Sequence, residues 1–145
     1  MAEMVEGEEF VGPSRTLTDA HFFAFSGLSG DLHPIHYDVE YAKATVFGQP
    51  VAHGLHLAAL TALGASDGRS RTEGMAFVEQ GSKFLKPAMV GDTLLPKLRL
   101  ARKWEERGRW FYRFETKLMN QRGEIVLEGF HVYCRIRDDD GKKAQ

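Results

Sequence analysis

The spacing of apolar residues divides the chain into two halves. Up to about residue 65, apolar residues recur at helical spacing between Gly- and Pro-containing turns. After Gly74, apolar and polar residues alternate with the period of two that is typical of β-strands. We therefore predict helices first and then a meander of about four strands, over residues 75–85, 93–103, 109–119 and 124–137.

Four elements are predicted in the first half. A short strand over 10–17 is interrupted at Gly12 and Pro13. A helix follows, with Thr18 as its N-cap and Gly30 just past its end. Residues 39–45 form a short helix. Residues 51–65 are apolar nearly all round, which predicts a longer buried helix.

The strand pattern predicts one buried sheet face. In the segment 109–119, Trp110, Tyr112 and Phe114 alternate with charged residues and are interpreted as core. An antiparallel sheet with one apolar face must bury it against another element. The buried helix from Gly54, within the apolar stretch 51–65, is the obvious cover, so we expect an α+β domain with a sheet curled around one long central helix.

Size and charge narrow the class of protein. The chain has 145 residues and a formal net charge of −1, which suits one domain and gives no general affinity for nucleic acid or membranes. No apolar run reaches the ~20 residues that a membrane helix needs. The acidic start does not resemble a signal peptide. We expect a cytoplasmic protein, with mobile tails at 1–9 and 138–145 and Cys134 as a small apolar group in a strand.

The densest candidate chemistry lies in the loop from Gly30 to Asp38. Gly30 permits unusual backbone angles and Pro34 restricts its neighbours, so the loop is predicted to be a rigid turn. Asp31 and His36 could there form an acid/base pair that holds a water and moves its proton. The alternative is that Asp31 caps a turn and His36 bonds to the backbone.

Two further features are candidates for binding. Gly54 begins the buried helix, so its N–H could stabilise a carbonyl oxygen that becomes negative, unless Gly54 is merely a residue near a cap. The pairs His33-x-x-His36 and His53-x-x-His56, with Asp31, raise the possibility of a metal site. Pro34 disrupts the first spacing and no HExxH motif is present, so we expect no metal.

Three stretches resemble the MaoC-like hydratases, which include the (R)-specific enoyl-CoA hydratases. The loop Asp31-x-His33-Pro34-Ile35-His36 is similar to that family's D-x-N-P-hydrophobic-H motif. The stretches 47–54, ending in His-Gly, and 84–94, with its Gly-Asp turn, resemble two other family segments. The resemblance implies a hot-dog fold and at least a homodimer, with the thioester entering between subunits. It also implies an acyl-CoA substrate, no cofactor, and addition of water to trans-2-enoyl-CoA to give (R)-3-hydroxyacyl-CoA.

The resemblance also implies roles for single residues. Asp31 and His36 would activate the water and protonate the α-carbon, and the Gly54 N–H would bind the thioester carbonyl. His33 replaces the family's usual Asn, and Ala62 lies about where some hydratases place a Ser in the central helix. With His53, these two positions are possible pocket residues. A hot-dog thioesterase and a non-catalytic acyl-CoA-binding subunit stay open as alternative functions.

Overall fold

A computed structural model of the chain describes residues 3–136. An antiparallel sheet is its main element, in the order β1-β4-β5-β6-β3, with β2 also paired to β4. The strands are β1 Glu9–Val11, β2 Arg15–Thr16, β3 Met75–Phe84, β4 Thr93–Glu106, β5 Arg109–Met119 and β6 Ile125–Arg135. The predicted meander is confirmed within two or three residues at most strand ends, and the interruption of the first strand at Gly12 and Pro13 is also present.

The turn between β4 and β5 has the backbone conformation of a tight hairpin, at the place where the sequence predicts one. Arg107 and Gly108 both have positive φ, 50° and 73°. Two such residues match the twist of the flanking strands in a tight hairpin. The following strand then buries Tyr112 and Phe114 as predicted, but Trp110 is 41% exposed at the end of the sheet and is not core.

Three α-helices precede β3: α1 Asp19–Ser29, α2 Val39–Lys43 and α3 Gly54–Leu60. Thr18 is the N-cap of α1 and Gly30, with φ 77°, closes it, as predicted. The central helix α3 packs on the sheet, with Leu57 and Ala58 inside a core cluster. The cluster's other members are Leu17, Phe22, Ala52, Ala88, Leu94, Leu118, Val126 and Leu127.

The predicted length of the central helix is wrong. Instead of spanning 51–65, α3 has seven residues. Before it, the chain is extended, because Val51 bridges to Met89 and the Ala52 N–H donates to the Ala88 carbonyl at 2.8 Å. After it, the Thr61 hydroxyl donates to the Ala58 carbonyl at 2.7 Å, a local bond of the kind that competes with helix continuation.

The expectation of a mobile start is also wrong for the residues that the structure describes. Met4 is 3% exposed in a second core cluster, and the Gly7 N–H donates to the Leu100 carbonyl at 2.7 Å. The described chain start is therefore part of the fold, with Met4 in the core and Gly7 bonded to β4. Residues 1–2 and the predicted tail at 138–145 lie outside the described residues.

Two isolated residues complete the comparison with the sequence. Cys134 is buried in β6, as predicted. His131, interpreted as a surface or sheet residue, lies in β6 but is only 3% exposed.

None of the helices within residues 3–136 combines the length and apolar character that crossing a bilayer demands.

Candidate active site

The loop after α1 is held by its own side chains. The Asp31 carboxylate accepts the His33 N–H at 3.2 Å, and His33 Nδ1 accepts the Ile35 N–H at 3.2 Å. The Tyr37 hydroxyl donates to the Leu32 carbonyl at 2.6 Å. Pro34 begins a 3-10 turn, Pro34–His36. These bonds confirm a rigid, non-α-helical turn.

His33 makes a hydrogen bond that an Asn side chain could also make. Its Nδ1 accepts the N–H two residues on, as an Asn side-chain oxygen does in an Asx turn. Its ring lies beside the site, with its centroid 6.3 Å from that of His36. The departure from the family motif therefore preserves the turn while adding a second imidazole at its edge.

The turn brings Asp31 and His36 together. Asp31 Oδ2 lies 3.7 Å from His36 Nε2; the Asp31 side chain is 52% exposed and the His36 side chain 11%. His36 Nδ1 lies 2.8 Å from the Val51 carbonyl, which can only accept, so Nδ1 carries the proton of that bond. In the neutral ring Nε2 then presents a lone pair towards the carboxylate.

His53 packs directly on this pair. Its ring stacks on that of His36, with centroids 3.6 Å apart and planes 18° apart. Its Nε2 lies 3.0 Å from the Ser26 hydroxyl and 3.3 Å from the Asp31 carbonyl oxygen. Burial, and next the nearby His36, lower the pKa of His53. His53 is thus a neutral ring that contacts both members of the pair.

Gly54 begins α3 immediately after His53. The described residues provide its N–H with no hydrogen-bond acceptor, as expected in the first turn of a helix. A methyl group at this position would come 3.1 Å from the Phe84 ring. Beside it lies an open groove of about 310 Å³ with mostly apolar walls that include Val51, Phe84 and Lys86. The absence of a side chain at residue 54 leaves more room for a ligand beside this N–H.

A metal is poorly accommodated here. Ligand atoms of Asp31, His36 and His53 lie within 4.8 Å of one another. A metal about 2.0–2.1 Å from both imidazole nitrogens would have to lie in both ring planes. The two stacked planes are nearly parallel and do not meet between the rings. The stacked arrangement of His36 and His53 therefore does not fit a metal ion that both rings would ligate.

The structure separates one predicted pocket residue from the others. Asp31, His36, His53 and Gly54 lie together and His33 borders them, but Ala62 lies beyond the end of α3, at the start of a 3-10 turn. About 9 Å of helix separates Gly54 from the end of α3. The assumption that residue 62 lies in the central helix fails because that helix stops at Leu60.

Two contacts of the site were not predicted. Ser26 lies one helical turn after Phe22, on the same face of α1. A polar residue on an apolar helix face is a sequence signal for a buried polar contact. The Val51 carbonyl that orients His36 carries no signal in the sequence, because it is a backbone group brought in from another segment.

The fold and the site together define a class: a hot-dog domain with a carboxylate–imidazole pair beside a free helix-start N–H. Comparison with known proteins agrees. Residues 2–109 match the MaoC like domain, and the chain belongs to this family. The hot-dog fold is therefore confirmed.

Characterised relatives and solved structures support this assignment. The (R)-specific enoyl-CoA hydratase of Rhodospirillum rubrum is 31% identical over 118 residues, which are 80% of this chain and 78% of that protein. The enzyme of the same description from Aeromonas caviae is 28% identical over 116 residues, 80% of this chain and 84% of that one. A solved structure of an A. caviae (R)-hydratase superposes with a TM-score of 0.81 at 25% identity, covering 94% of this chain and 100% of that chain.

Proposed function

We propose that the protein is an enoyl-CoA hydratase that adds water reversibly to trans-2-enoyl-CoA to give (R)-3-hydroxyacyl-CoA. The observation that carries the proposal is the 3.7 Å separation of Asp31 Oδ2 and His36 Nε2. This gap is too long for a direct hydrogen bond and suits one water about 2.8 Å from each atom, at an angle of roughly 80°. The relatives named as (R)-specific enoyl-CoA hydratases support the substrate class and the product configuration.

The chemistry follows from the two side chains. The Asp31–His36 pair takes one proton from the water while the water oxygen bonds to C3 of the enoyl group. The C2–C3 π electrons move towards the thioester, whose carbonyl oxygen becomes an enolate. C2 then receives a proton from the same pair, so one water is added and the pair returns to its starting state.

Gly54 has a separate role in this proposal. Its N–H would donate to the thioester carbonyl oxygen as that oxygen becomes negative. The apolar groove that includes Val51 and Phe84 is where the rest of the thioester would lie. Because side chains and a backbone amide supply the proton transfers and the charge stabilisation, we expect no cofactor.

We further propose that the enzyme acts in the cytoplasm as at least a homodimer, with the thioester entering between subunits. β3 pairs only with β6 among the described strands and exposes Phe77, Val78 and Phe84 by 50–54% each. Apolar side chains along an unpaired strand edge are typical of an interaction surface. Analytical ultracentrifugation would test the dimer, and a monomeric protein would contradict it.

The proposed function can be tested with crotonyl-CoA. We expect loss of the enoyl absorbance, an (R)-configured product, and at least a hundredfold lower kcat in Asp31→Asn and in His36→Ala, the usual scale for a lost acid/base group. Asp38→Asn is the matched control: Asp38 lies in the same loop and caps α2, a task that Asn performs equally well. Its kcat should stay within threefold of the parent.

Two outcomes would contradict the proposal. Release of free CoA thiol without hydration would identify a thioesterase. Binding of crotonyl-CoA without turnover, unchanged by Asp31→Asn, would identify a non-catalytic binding subunit.

A further inference from the structure

The His53 ring joins three segments of the site. It precedes Gly54, its face covers the His36 ring at 3.6 Å, and its Nε2 edge reaches Ser26 of α1 and the backbone of Asp31. It is 2% exposed. A single buried side chain thus touches both members of the proposed catalytic pair without facing the solvent.

The contacts define the protonation state of His53. The Asp31 carbonyl can only accept, so His53 Nε2 carries the proton of that contact. The other nitrogen, Nδ1, is buried and has no partner among the described residues. A proton on Nδ1 would be a buried, unpaired donor on a cation, which is costly. The ring is therefore held as the neutral Nε2–H tautomer.

A neutral ring at this position has two consequences for His36. It excludes water from one face of the His36 imidazole, and it leaves His36 as the ring that exchanges protons, because two charged imidazoles at 3.6 Å would repel each other. The other titratable groups near His53 are Asp31 and His56. His53 is thus the uncharged partner in a stack of two histidines.

We propose that His53 is a positioning residue for the Asp31–His36 pair. Its ring face excludes water from one face of His36 and fixes the orientation of that ring. Its Nε2–H holds the Asp31 segment at the distance that a bridging water requires. This inference rests on the hydratase function proposed above.

Two substitutions separate the two tasks of the ring. His53→Gln keeps an N–H donor near the place of Nε2 but removes the stacked face, and His53→Phe keeps the face but removes the donor. For His53→Gln we expect kcat to fall at least threefold with KM within twofold, because the His36 ring loses the face that orients it. For His53→Phe we expect kcat to fall at least tenfold, with KM within twofold.

His56→Gln is the matched control. His56 lies on the same helix and is 8% exposed, but it contacts neither Asp31 nor His36 in the described part of the chain. Its kcat and pH profile should match those of the parent. Thermal unfolding of each variant checks the fold. If either His53 variant does not fold, Ser26→Ala removes one Nε2 contact and should lower kcat two- to fivefold at unchanged KM.

A measurement without substrate distinguishes this inference from the proposed function. Long-range ¹H–¹⁵N spectra of the imidazole rings should show His53 as the neutral Nε2–H tautomer at pH 7, whether or not the protein turns over enoyl-CoA. Protonation of His53 together with His36 would overturn the inference. So would a parental kcat in both His53 variants of an active enzyme. A wild-type protein that shows the tautomer but hydrates nothing would instead refute the hydratase function.

Discussion

Replacing His131 by phenylalanine should remove one contribution to the acid sensitivity of folding; buried His56, whose pKa is also lowered to about 4, is another. His131 is 3% exposed in β6, and its Nε2 lies 3.3 Å from the Thr61 hydroxyl. That hydroxyl donates to the Ala58 carbonyl, so it accepts from His131. His131 Nδ1 is buried without a partner among the described residues. A second proton on this ring therefore has no acceptor.

The magnitude follows from the pKa of His131. Burial lowers this pKa from an ordinary 6.5 to about 4. Between these values the unfolded chain binds a proton that the folded chain excludes, so stability falls as the pH falls. The contribution of His131 is nearly complete at pH 7 and decreases by about 2 kcal/mol between pH 7 and pH 5. The remaining loss develops as the pH approaches 4.

The assay is urea unfolding at pH 7 and pH 5, at one protein concentration, for the parent and two variants. His131→Phe keeps a ring against Phe77 but cannot titrate, so its loss of unfolding free energy should be smaller than that of the parent by about 2 kcal/mol. Thr61→Val removes the same hydrogen bond yet leaves His131 to titrate, so it should keep the parental pH dependence. An equal pH dependence in His131→Phe and the parent would refute the reasoning.

Three further predictions concern other parts of the molecule. Gly54→Ala should lower kcat/KM of crotonyl-CoA hydration at least tenfold, because on the proposed function its methyl group would narrow the space for the thioester carbonyl. Tm should stay nearly unchanged, because the Phe84 ring, 3.1 Å from that methyl group, can move. Parental kinetics would exclude Gly54 from carbonyl binding. His33→Asn should keep Tm and kcat near parental values because Asn can also accept the Ile35 N–H, whereas His33→Ala should cost about 1 kcal/mol of unfolding free energy in urea titrations. Met4→Ala should cost about 2 kcal/mol by the same measurement, and no loss would mean that the chain start is not part of the core.

Local patterns predicted the elements whose signals lie within a few residues. Thr18 and Gly30 mark the ends of α1, and the alternation around Tyr112 and Phe114 marks β5 with its buried face. The turn at Arg107 and Gly108 is readable for the same reason. Each of these signals is a backbone preference or a periodicity, which neighbouring residues determine before any tertiary contact forms.

Two of the errors share one cause. The segment 51–65 has the composition of a long helix, but Val51 and Ala52 pair with residues 88–89. Met4 is in an acidic, polar-looking start, yet the sheet buries it. In these cases contacts with distant residues outweighed local propensity.

The sequence by itself determined which residues are available for chemistry. A Gly- and Pro-restricted loop must keep Asp31 and His36 near each other, because five residues in a tight turn have little freedom. Only the tertiary structure decided the orientation of the pair. The Val51 carbonyl and the face of His53 orient the His36 ring. Both groups belong to residues 51–53, a separate segment that packs against the loop. Such contacts depend on how segments pack in space, and no local pattern encodes them.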